Sequence, residues 1–228
     1  MTSHLQLFMA GDSTMANNTK VTYPQMGWGQ RLQEFFQPNV LVRNHAVNGR
    51  STKSFLAENR WDEMEKIFQP GDYVVIQFGH NDQKKDKERA TEPFTTYKEN
   101  LRYFIHRARS FKVTPILATS IARRHFDEDG ELVDTHGNYP RAMKILAKEE
   151  NIICLDMLQL TKQAIQSMGP ERSKEWFVWI KPNQYDGFPN GAMDDTHLNE
   201  KGAQEVARIF VQALGDLNHP LVAYLRNR

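Results

Sequence analysis

Short apolar segments alternate with amphipathic segments along this chain, and this alternation limits the possible folds more than any other feature. The first apolar segment, Leu5 to Thr14, ends in Gly-Asp-Ser-Thr and is typical of a buried strand that stops at a sharp turn. Similar segments run from Val40 to Val47, from Asp72 to Phe78, from Lys112 to Ser120 and from Ile152 to Leu155. Strands separated by helices predict a parallel sheet with helices on both faces.

Apolar residues at helical spacing predict the connections between these strands. After Phe94, for example, Tyr97, Leu101 and Phe104 recur on one face of a helix. Helices are predicted over residues 27–37, 55–68, 94–111, 158–168 and about 199–214, with another around residues 143–147. Residues 121–140 and 169–195 are predicted to be long irregular segments, and we expect residues 1–228 to form a single α/β domain.

Groups of polar residues follow the first three strands, and a fourth group precedes the last helix. The four groups are Gly11-Asp12-Ser13, Asn48-Gly49-Arg50, Gly79-His80-Asn81-Asp82 and Asp194-Asp195-Thr196-His197. Because the carboxyl ends of parallel strands meet at one edge of a sheet, we expect the first three groups to lie close together. The sequence therefore predicts a polar site at that edge.

Together these groups contain the parts of an acyl-transfer site. Such a site needs a hydroxyl nucleophile, a base, a carboxylate that orients the base, and hydrogen-bond donors for the oxyanion. In this assignment Ser13 attacks, His197 takes and returns the proton, and Asp194 orients the imidazole. The backbone N–H groups of Ser13 and Gly49 and the side-chain amide of Asn81 would hold the oxyanion, because glycine allows a close approach of the backbone.

Each of these residues also has a simpler structural explanation. Ser13 is of the type that caps a following segment, and His197 stands where a helix begins. Asp194 and Asp195 compete for the role of orienting carboxylate, and the other acid could orient a turn. The presence of Ser13, His197 and Asn81 together favours the catalytic interpretation, since triads are recognised by several roles at once.

In their order along the chain, these residues resemble the SGNH (GDSL-type) hydrolases, a family with serine, glycine, asparagine and histidine in four separate blocks. The matching residues are Gly11-Asp12-Ser13, Gly49, Gly79-x-Asn81-Asp82 and Asp194-x-x-His197. Within the family, the chain looks like the rhamnogalacturonan acetylesterases. The supporting strings are Ala10-Gly-Asp-Ser-Thr14, Gly27-Trp-Gly29, Gly49-Arg-Ser51, Phe78-Gly-His-Asn-Asp82 and Asp195-Thr-His-Leu-Asn199.

The resemblance implies a three-layer α/β/α fold with a flavodoxin-like five-stranded parallel sheet. It also implies a metal-independent serine esterase that needs no cofactor and removes acetyl groups from pectic galacturonate. The family spacing favours Asp194 over Asp195 in the triad. Two alternatives stay open: another SGNH esterase acting on xylan, other carbohydrates, lipids or thioesters, and a non-catalytic sugar-binding protein with the same fold.

Composition and charge argue against several other classes of protein. The 29 basic and 28 acidic residues give a formal net charge of +1, which argues against a nucleic-acid or membrane partner. No run approaches the roughly 18 apolar residues of a membrane span, and the start of the chain shows no signal-peptide pattern, so we expect a cytoplasmic protein. The single cysteine, Cys154, fits a reducing compartment, and the histidines lack zinc-motif spacing, so no metal is expected.

The expected partner is an acetylated oligosaccharide, and the sequence indicates the residues that contact it less clearly than it indicates the catalytic residues. Arg50, Arg123 and Arg124 follow predicted strand ends, where guanidinium groups could pair with uronate carboxylates, although exposed arginines are more often solvated. His80 adjoins Asn81 and is either structural or a substrate contact.

Aromatic residues are concentrated in the segment that precedes His197 in the sequence. Trp179 lies there with Trp176, Tyr185 and Phe188. Their rings either stack on sugar rings or pack this long segment onto the core. Trp179 is the member that we expect to contact substrate.

Overall fold

The computed structural model describes residues 4–226, and its centre is a five-stranded parallel sheet. The strands are β1 (Leu5–Gly11), β2 (Val40–Asn44), β3 (Tyr73–Gln77), β4 (Thr114–Ala118) and β5 (Cys154–Leu155). Their order across the sheet is β2-β1-β3-β4-β5, and every neighbouring pair is parallel. The predicted five-stranded parallel sheet is confirmed, and its strand order is that of flavodoxin-like folds.

Helices cover both faces of the sheet. One face carries α1 (Thr52–Ala57), α2 (Arg60–Glu65), α3 (Lys98–Ser110) and α4 (Tyr139–Glu149). The other face carries a 3-10 helix (Trp28–Phe35), α5 (Met157–Arg172) and α6 (Glu200–Asp216). The three-layer α/β/α architecture is therefore confirmed. Within residues 4–226, no helix is long and apolar enough to cross a membrane.

Strand β1 shows how the sequence builds two separate cores. Successive side chains of a strand point to opposite faces of the sheet. Leu7 and Met9 join the core beneath α5 and α6, whereas Phe8 and Ala10 join the core beneath α1 to α4. All four side chains have no exposed surface. Because β1 is buried on both faces, its sequence is a continuous apolar run, and its carboxyl end is held firmly in place.

The position of β1 also determines where a crevice forms. The chain passes from β1 to β2 on one side and later reaches β3 on the other side of β1. In open α/β sheets, ligands bind outside the carboxyl ends of the strands where the strand order reverses in this way. The turn that follows Gly11 lies at this point.

The predicted irregular segment over residues 169–195 is wrong in part, because it contains most of a second sheet. Strands β6 (Phe177–Ile180) and β7 (Ala192–Leu198) pair in an antiparallel hairpin. Strand β6 has only four residues, and β7 carries two acids, a threonine and a histidine instead of an apolar alternation. Hydrophobic periodicity therefore gave no signal for β7, whose pairing with β6 and packing below α6 hold it in place.

Smaller differences concern the helices. The single helix predicted over residues 55–68 is two helices, because Asn59 has φ +54° and breaks the helical path. The helix predicted over residues 27–37 is a 3-10 helix. The helix predicted over 94–111 begins with a π-helical turn at Pro93–Tyr97 before α3.

We predict that two glycines of α6 respond in opposite ways to alanine. A Cβ atom at Gly202 would lie 2.0 Å from the Trp176 carbonyl oxygen, whereas a Cβ at Gly215 would meet nothing within 4 Å. We expect Gly202→Ala to lower the free energy of unfolding by about 1–3 kcal/mol. Gly215→Ala should raise it by about 0.5–1 kcal/mol, because alanine lowers the entropy of the unfolded chain.

Urea unfolding midpoints measure both changes. Equal midpoints for the two variants would contradict the close contact between α6 and Trp176.

Candidate active site

Asp12, and not Ser13, is the internal acceptor of the turn that follows β1. Its Oδ1 atom accepts hydrogen bonds from the Thr14 backbone N–H at 3.0 Å and from the Thr14 hydroxyl at 2.8 Å. Its carbonyl oxygen accepts from the backbone N–H groups of Met15 and Ala16. The Ser13 side chain takes no part in capping, which leaves its hydroxyl available to another partner.

The Gly27-Trp28-Gly29 string supports this turn from one side. The backbone N–H of Trp28 donates to the Thr14 carbonyl at 2.9 Å, and that of Gly27 donates to the Ala16 carbonyl at 3.1 Å. A Cβ at Gly27 would lie 2.3 Å from the Ala16 carbonyl oxygen, so only glycine permits this approach. The sequence showed the string as a family marker but not this structural role.

A continuous hydrogen-bonded path joins Ser13 to Asp194. The Ser13 hydroxyl oxygen lies 3.0 Å from Nε2 of His197. Nδ1 of His197 lies 2.7 Å from Oδ2 of Asp194. The structure therefore brings together three predicted residues, one from the turn after β1 and two from β7, that are up to 184 positions apart in the sequence.

The Asp194 carboxylate is itself held by the backbone of β7. Its Oδ1 atom accepts hydrogen bonds from the backbone N–H groups of Thr196 at 2.7 Å and His197 at 2.9 Å. Burial acts to raise the pKa of Asp194, but the hydrogen bonds from His197 and the backbone outweigh it, and the pKa lies below its usual value. The group is therefore an anion at neutral pH, facing the imidazole.

Asp195 points to different partners. Its Oδ1 atom accepts hydrogen bonds from Nη1 of Arg124 at 2.6 Å and from the indole N–H of Trp179 at 2.8 Å. The Arg124 backbone N–H also donates to the Asp195 carbonyl at 2.8 Å. The geometry thus pairs Asp194 with His197, and Asp195 fastens β7 to the segment that follows β4. Sequence spacing alone did not reveal this contact between residues 124 and 195.

Two of the predicted oxyanion donors are backbone groups without a hydrogen-bond acceptor. Within residues 4–226, neither the Ser13 nor the Gly49 backbone N–H donates a hydrogen bond. Gly49 has φ +78°, in the left-handed region that favours glycine. The Val47 backbone N–H donates to the Gly11 carbonyl at 3.0 Å, which holds this second turn beside the end of β1.

The Asn81 amide is oriented by its neighbours. Nδ2 of Asn81 donates to the Arg50 carbonyl at 3.1 Å, so the amide group lies next to the Gly49 turn. The following residue, Asp82, is fully buried and accepts from the backbone N–H of Thr52 at 3.1 Å and from the hydroxyl of Thr91 at 3.2 Å. Burial raises the pKa of Asp82 to about 7. Its hydrogen bond with Thr52 ties the third polar group to the start of α1, which follows the second group.

A buried pair of histidines lies beside Asp12. Nδ1 of His80 is 3.5 Å from Oδ2 of Asp12, a contact too long for a good hydrogen bond. The His80 ring packs on that of His136, with centroids 4.7 Å apart. Burial lowers the pKa of His80 and lowers that of His136 to about 2, so both rings are neutral at pH 7. The sequence gave no signal for His136, which lies in the predicted irregular segment 121–140.

The burial of His80 bears on its predicted contact with substrate. Only 4% of its surface is exposed, so the ring has almost no area to offer to a sugar. Its contacts with Asp12 and His136 are those of a structural residue, which is the other role that the sequence left open.

Arg50 and Trp179, two of the other predicted substrate contacts, are already engaged within the chain. Arg50 donates from Nε to Glu58 at 3.0 Å and from Nη1 to the Asn48 carbonyl at 2.8 Å. Trp179 is partly buried, and the charged groups of Arg124 and Lys174 lie over its ring at 4.9 Å and 4.5 Å. Stacking of Trp179 on a sugar stays a prediction.

Among the described residues, no group of three or more His, Cys, Asp or Glu side chains is arranged to hold a metal ion. Burial raises the pKa of the Cys154 thiol to about 12, so it stays protonated.

A hydroxyl in contact with an imidazole that is paired to a carboxylate is the arrangement of the serine hydrolases. The chain matches the model of the GDSL-like lipase/acylhydrolase family over residues 9–205. This protein belongs to that family, as the four polar groups predicted.

Two relatives with assigned names match the chain over all or nearly all of its length. It is 43% identical over 228 residues to the rhamnogalacturonan acetylesterase RhgT of Bacillus subtilis (strain 168), covering 100% of this chain and 97% of that protein. It is 35% identical to the probable rhamnogalacturonan acetylesterase YesY of the same organism, covering 97% of this chain and 96% of that protein. The predicted resemblance to this group of esterases is confirmed.

A solved structure supports the fold. The crystal structure of the YxiM protein of Bacillus subtilis matches with a TM-score of 0.81 at 28% sequence identity. The match covers 95% of this chain and 58% of that one.

We predict that His136 makes the protein sensitive to acid. Below pH 6.5 the unfolded chain protonates this histidine, whereas the folded chain, with its pKa of about 2, does not. The contribution of His136 to stability is therefore present well above pH 6.5 and falls as the pH decreases, by about 2 kcal/mol between pH 7 and pH 5. His136→Gln should lose this contribution to the slope of unfolding free energy against pH.

The exposed His125 provides the control, because His125→Gln should keep the wild-type slope. A wild-type slope in His136→Gln would contradict the prediction.

Proposed function

We propose that this protein is a carbohydrate acetylesterase that removes O-acetyl groups from rhamnogalacturonan-type oligosaccharides. The names of RhgT and YesY support the substrate, since similarity to both extends over nearly the whole of each protein. The observation that carries the proposed chemistry is the hydrogen-bonded path from Ser13 through His197 to Asp194, at 3.0 and 2.7 Å.

In the proposed first step, Ser13 is the nucleophile. Its hydroxyl oxygen would attack the acetyl carbonyl carbon while Nε2 of His197 takes the hydroxyl proton. Asp194, paired with Nδ1, would hold the imidazole in the required tautomer and stabilise its charged form. The tetrahedral intermediate would then release the sugar hydroxyl, which receives the proton from His197, and leave an acetyl ester on Ser13.

The second step would repeat this chemistry with water. His197 would take a proton from a water molecule that attacks the acetyl-serine, and the proton would return to Ser13 as acetate leaves. No metal or cofactor is required by this sequence of steps.

Developing negative charge would be stabilised by the three predicted donors. Among the described residues, the backbone N–H groups of Ser13 and Gly49 find no acceptor, and this supports their role as donors to an oxyanion. The Asn81 amide, fixed through the Arg50 carbonyl, would supply the third donor. Loss of one such donor typically reduces turnover by about 10² to 10³-fold.

We predict that acetate release depends on both the glycan and Ser13. Acetylated rhamnogalacturonan oligosaccharides should be hydrolysed with a higher kcat/KM than acetylated xylo-oligosaccharides or long-chain acyl esters. Ser13→Ala should abolish release from every substrate and keep the wild-type unfolding midpoint. Preference for xylan would indicate a different carbohydrate esterase, and preference for long acyl chains would indicate a lipase-like enzyme. Oligosaccharide binding by the wild type without acetate release would indicate a non-catalytic sugar-binding protein. Full activity in Ser13→Ala would refute the mechanism.

The neighbouring acids provide a matched pair of variants. Asp194→Asn should lower kcat roughly 10⁴-fold, because the amide holds the imidazole in the wrong tautomer. Asp195→Asn keeps the acceptor for Arg124 and weakens a charged hydrogen bond, so its loss should be about tenfold. Steady-state kinetics on 4-nitrophenyl acetate give both values. A larger loss in Asp195→Asn would assign the orienting role to Asp195.

A further inference from the structure

Arg123 is a partly buried cation that finds no anionic partner among residues 4–226. Its Nη1 atom donates to the carbonyl and the hydroxyl oxygen of Thr135, at 3.0 and 3.1 Å. Its Nε and Nη2 atoms donate no hydrogen bond within residues 4–226, and no carboxylate of those residues lies within 4.0 Å of the guanidinium. Neither atom is among the fully buried polar atoms that lack a partner, so both keep contact with solvent and are open to a ligand.

The next residue, Arg124, is a buried arginine with a different arrangement. Arg124 uses its guanidinium to bind the Asp195 carboxylate, the Ser173 hydroxyl and the Pro170 carbonyl. Each of its three guanidinium nitrogens therefore has a partner. The two free nitrogens of Arg123, adjacent in one plane, have the fork geometry that binds a carboxylate through two hydrogen bonds.

The position of Arg123 places it near the nucleophile. Thr135, which anchors it, is followed by His136, whose ring packs on His80 beside Asp12. Burial lowers the pKa of Arg123, and the charge of Asp12 acts in the opposite direction, as expected for charges that are close enough to interact. A chain of contacts thus connects Arg123 to the turn that carries Ser13.

Arg123 also lines a cavity of about 170 Å³ at this edge of the sheet. A water molecule occupies about 30 Å³ in the liquid, so the space accepts a carboxylate group. The polar wall consists of Arg123, Asp134, Thr135, His136, Gln159 and Lys162. Asp134 is exposed and accepts a hydrogen bond from the His136 backbone N–H at 2.8 Å, whereas Lys162 adds a second positive charge.

We propose that Arg123 binds the carboxylate of a galacturonate residue in the substrate and thereby determines specificity for acidic glycans. The proposal rests on the proposed function, because a rhamnogalacturonan carries such carboxylates and a xylan backbone does not. Nε and Nη2 form the two hydrogen bonds, and Lys162 contributes longer-range attraction. Pairing at Arg123 holds the sugar so that its acetyl ester lies at Ser13.

The first test compares two forms of one substrate. Acetylated rhamnogalacturonan oligosaccharide is used with free carboxylates and with the carboxylates converted to methyl esters, and acetate release is followed. Arg123→Gln should lower kcat/KM on the free acid about 10–100-fold, mostly through KM, and much less on the methyl ester. Arg123→Lys, which keeps the charge but not the fork, should recover part of the loss.

Arg50→Gln is the matched control, because Arg50 is already paired with Glu58. Arg50→Gln should change kcat/KM by the same factor on the free acid and on the methyl ester. Equal losses on both substrates for Arg123→Gln would overturn the proposal, and a loss specific to the free acid in Arg50→Gln would place the carboxylate at Arg50. Urea unfolding midpoints identify any variant whose loss comes from misfolding.

A second measurement does not depend on which acetyl ester is the true substrate. A dimer of galacturonate without acetyl groups should inhibit hydrolysis of 4-nitrophenyl acetate by the wild type, and a neutral galactose dimer should not. Arg123→Gln should need about 10–100-fold more of the acidic dimer for the same inhibition. Absence of inhibition in the wild type would overturn the Arg123 site even if the enzyme deacetylates pectic glycans.

Discussion

The contact between the Ser13 hydroxyl and the His197 imidazole is the interaction on which the proposed chemistry depends, and it joins two differently constructed parts of the molecule. Ser13 follows β1, which is buried on both faces and paired with strands on both sides. His197 lies on β7, in a two-stranded hairpin outside the main sheet. A distance of 3.0 Å is kept only if the hairpin is fixed relative to β1.

Several contacts provide that fixation. The Met26 backbone N–H donates to the Leu198 carbonyl at 2.9 Å, so β7 is tied to the segment that also supports the Ser13 turn. The Asn199 side chain donates to the Phe177 carbonyl at 2.9 Å and accepts from the Gly202 backbone N–H at 3.0 Å. Arg124 holds Asp195 from the other side. The residues around His197 are therefore restrained from both neighbouring elements.

The sequence predicted those strands and turns whose residues carry a local pattern. The run from Leu5 to Gly11 was identifiable because a strand buried on two faces is apolar throughout. Gly49 indicated a turn after the second strand, and the structure gives this residue φ +78°. The hairpin was not identifiable, because β7 is polar and is held by its partners. The choice between Asp194 and Asp195 followed from family spacing, and its geometric basis needed the position of Arg124. The burial of His80 had no local signal either, since it arises from packing against His136.

The placement of Asp194 and His197 on a hairpin that lies outside the main sheet has a consequence for heating. Local opening of a small peripheral element costs less free energy than melting of a doubly covered sheet. Phe177 and Leu198 anchor the hairpin in the core beneath α5 and α6, but residues 192–197 are partly or fully exposed. Displacement of this segment alone separates His197 from Ser13 while β1 and both cores stay folded. Thermal inactivation should consequently precede the loss of sheet structure, and it should reverse on cooling as long as the two cores persist.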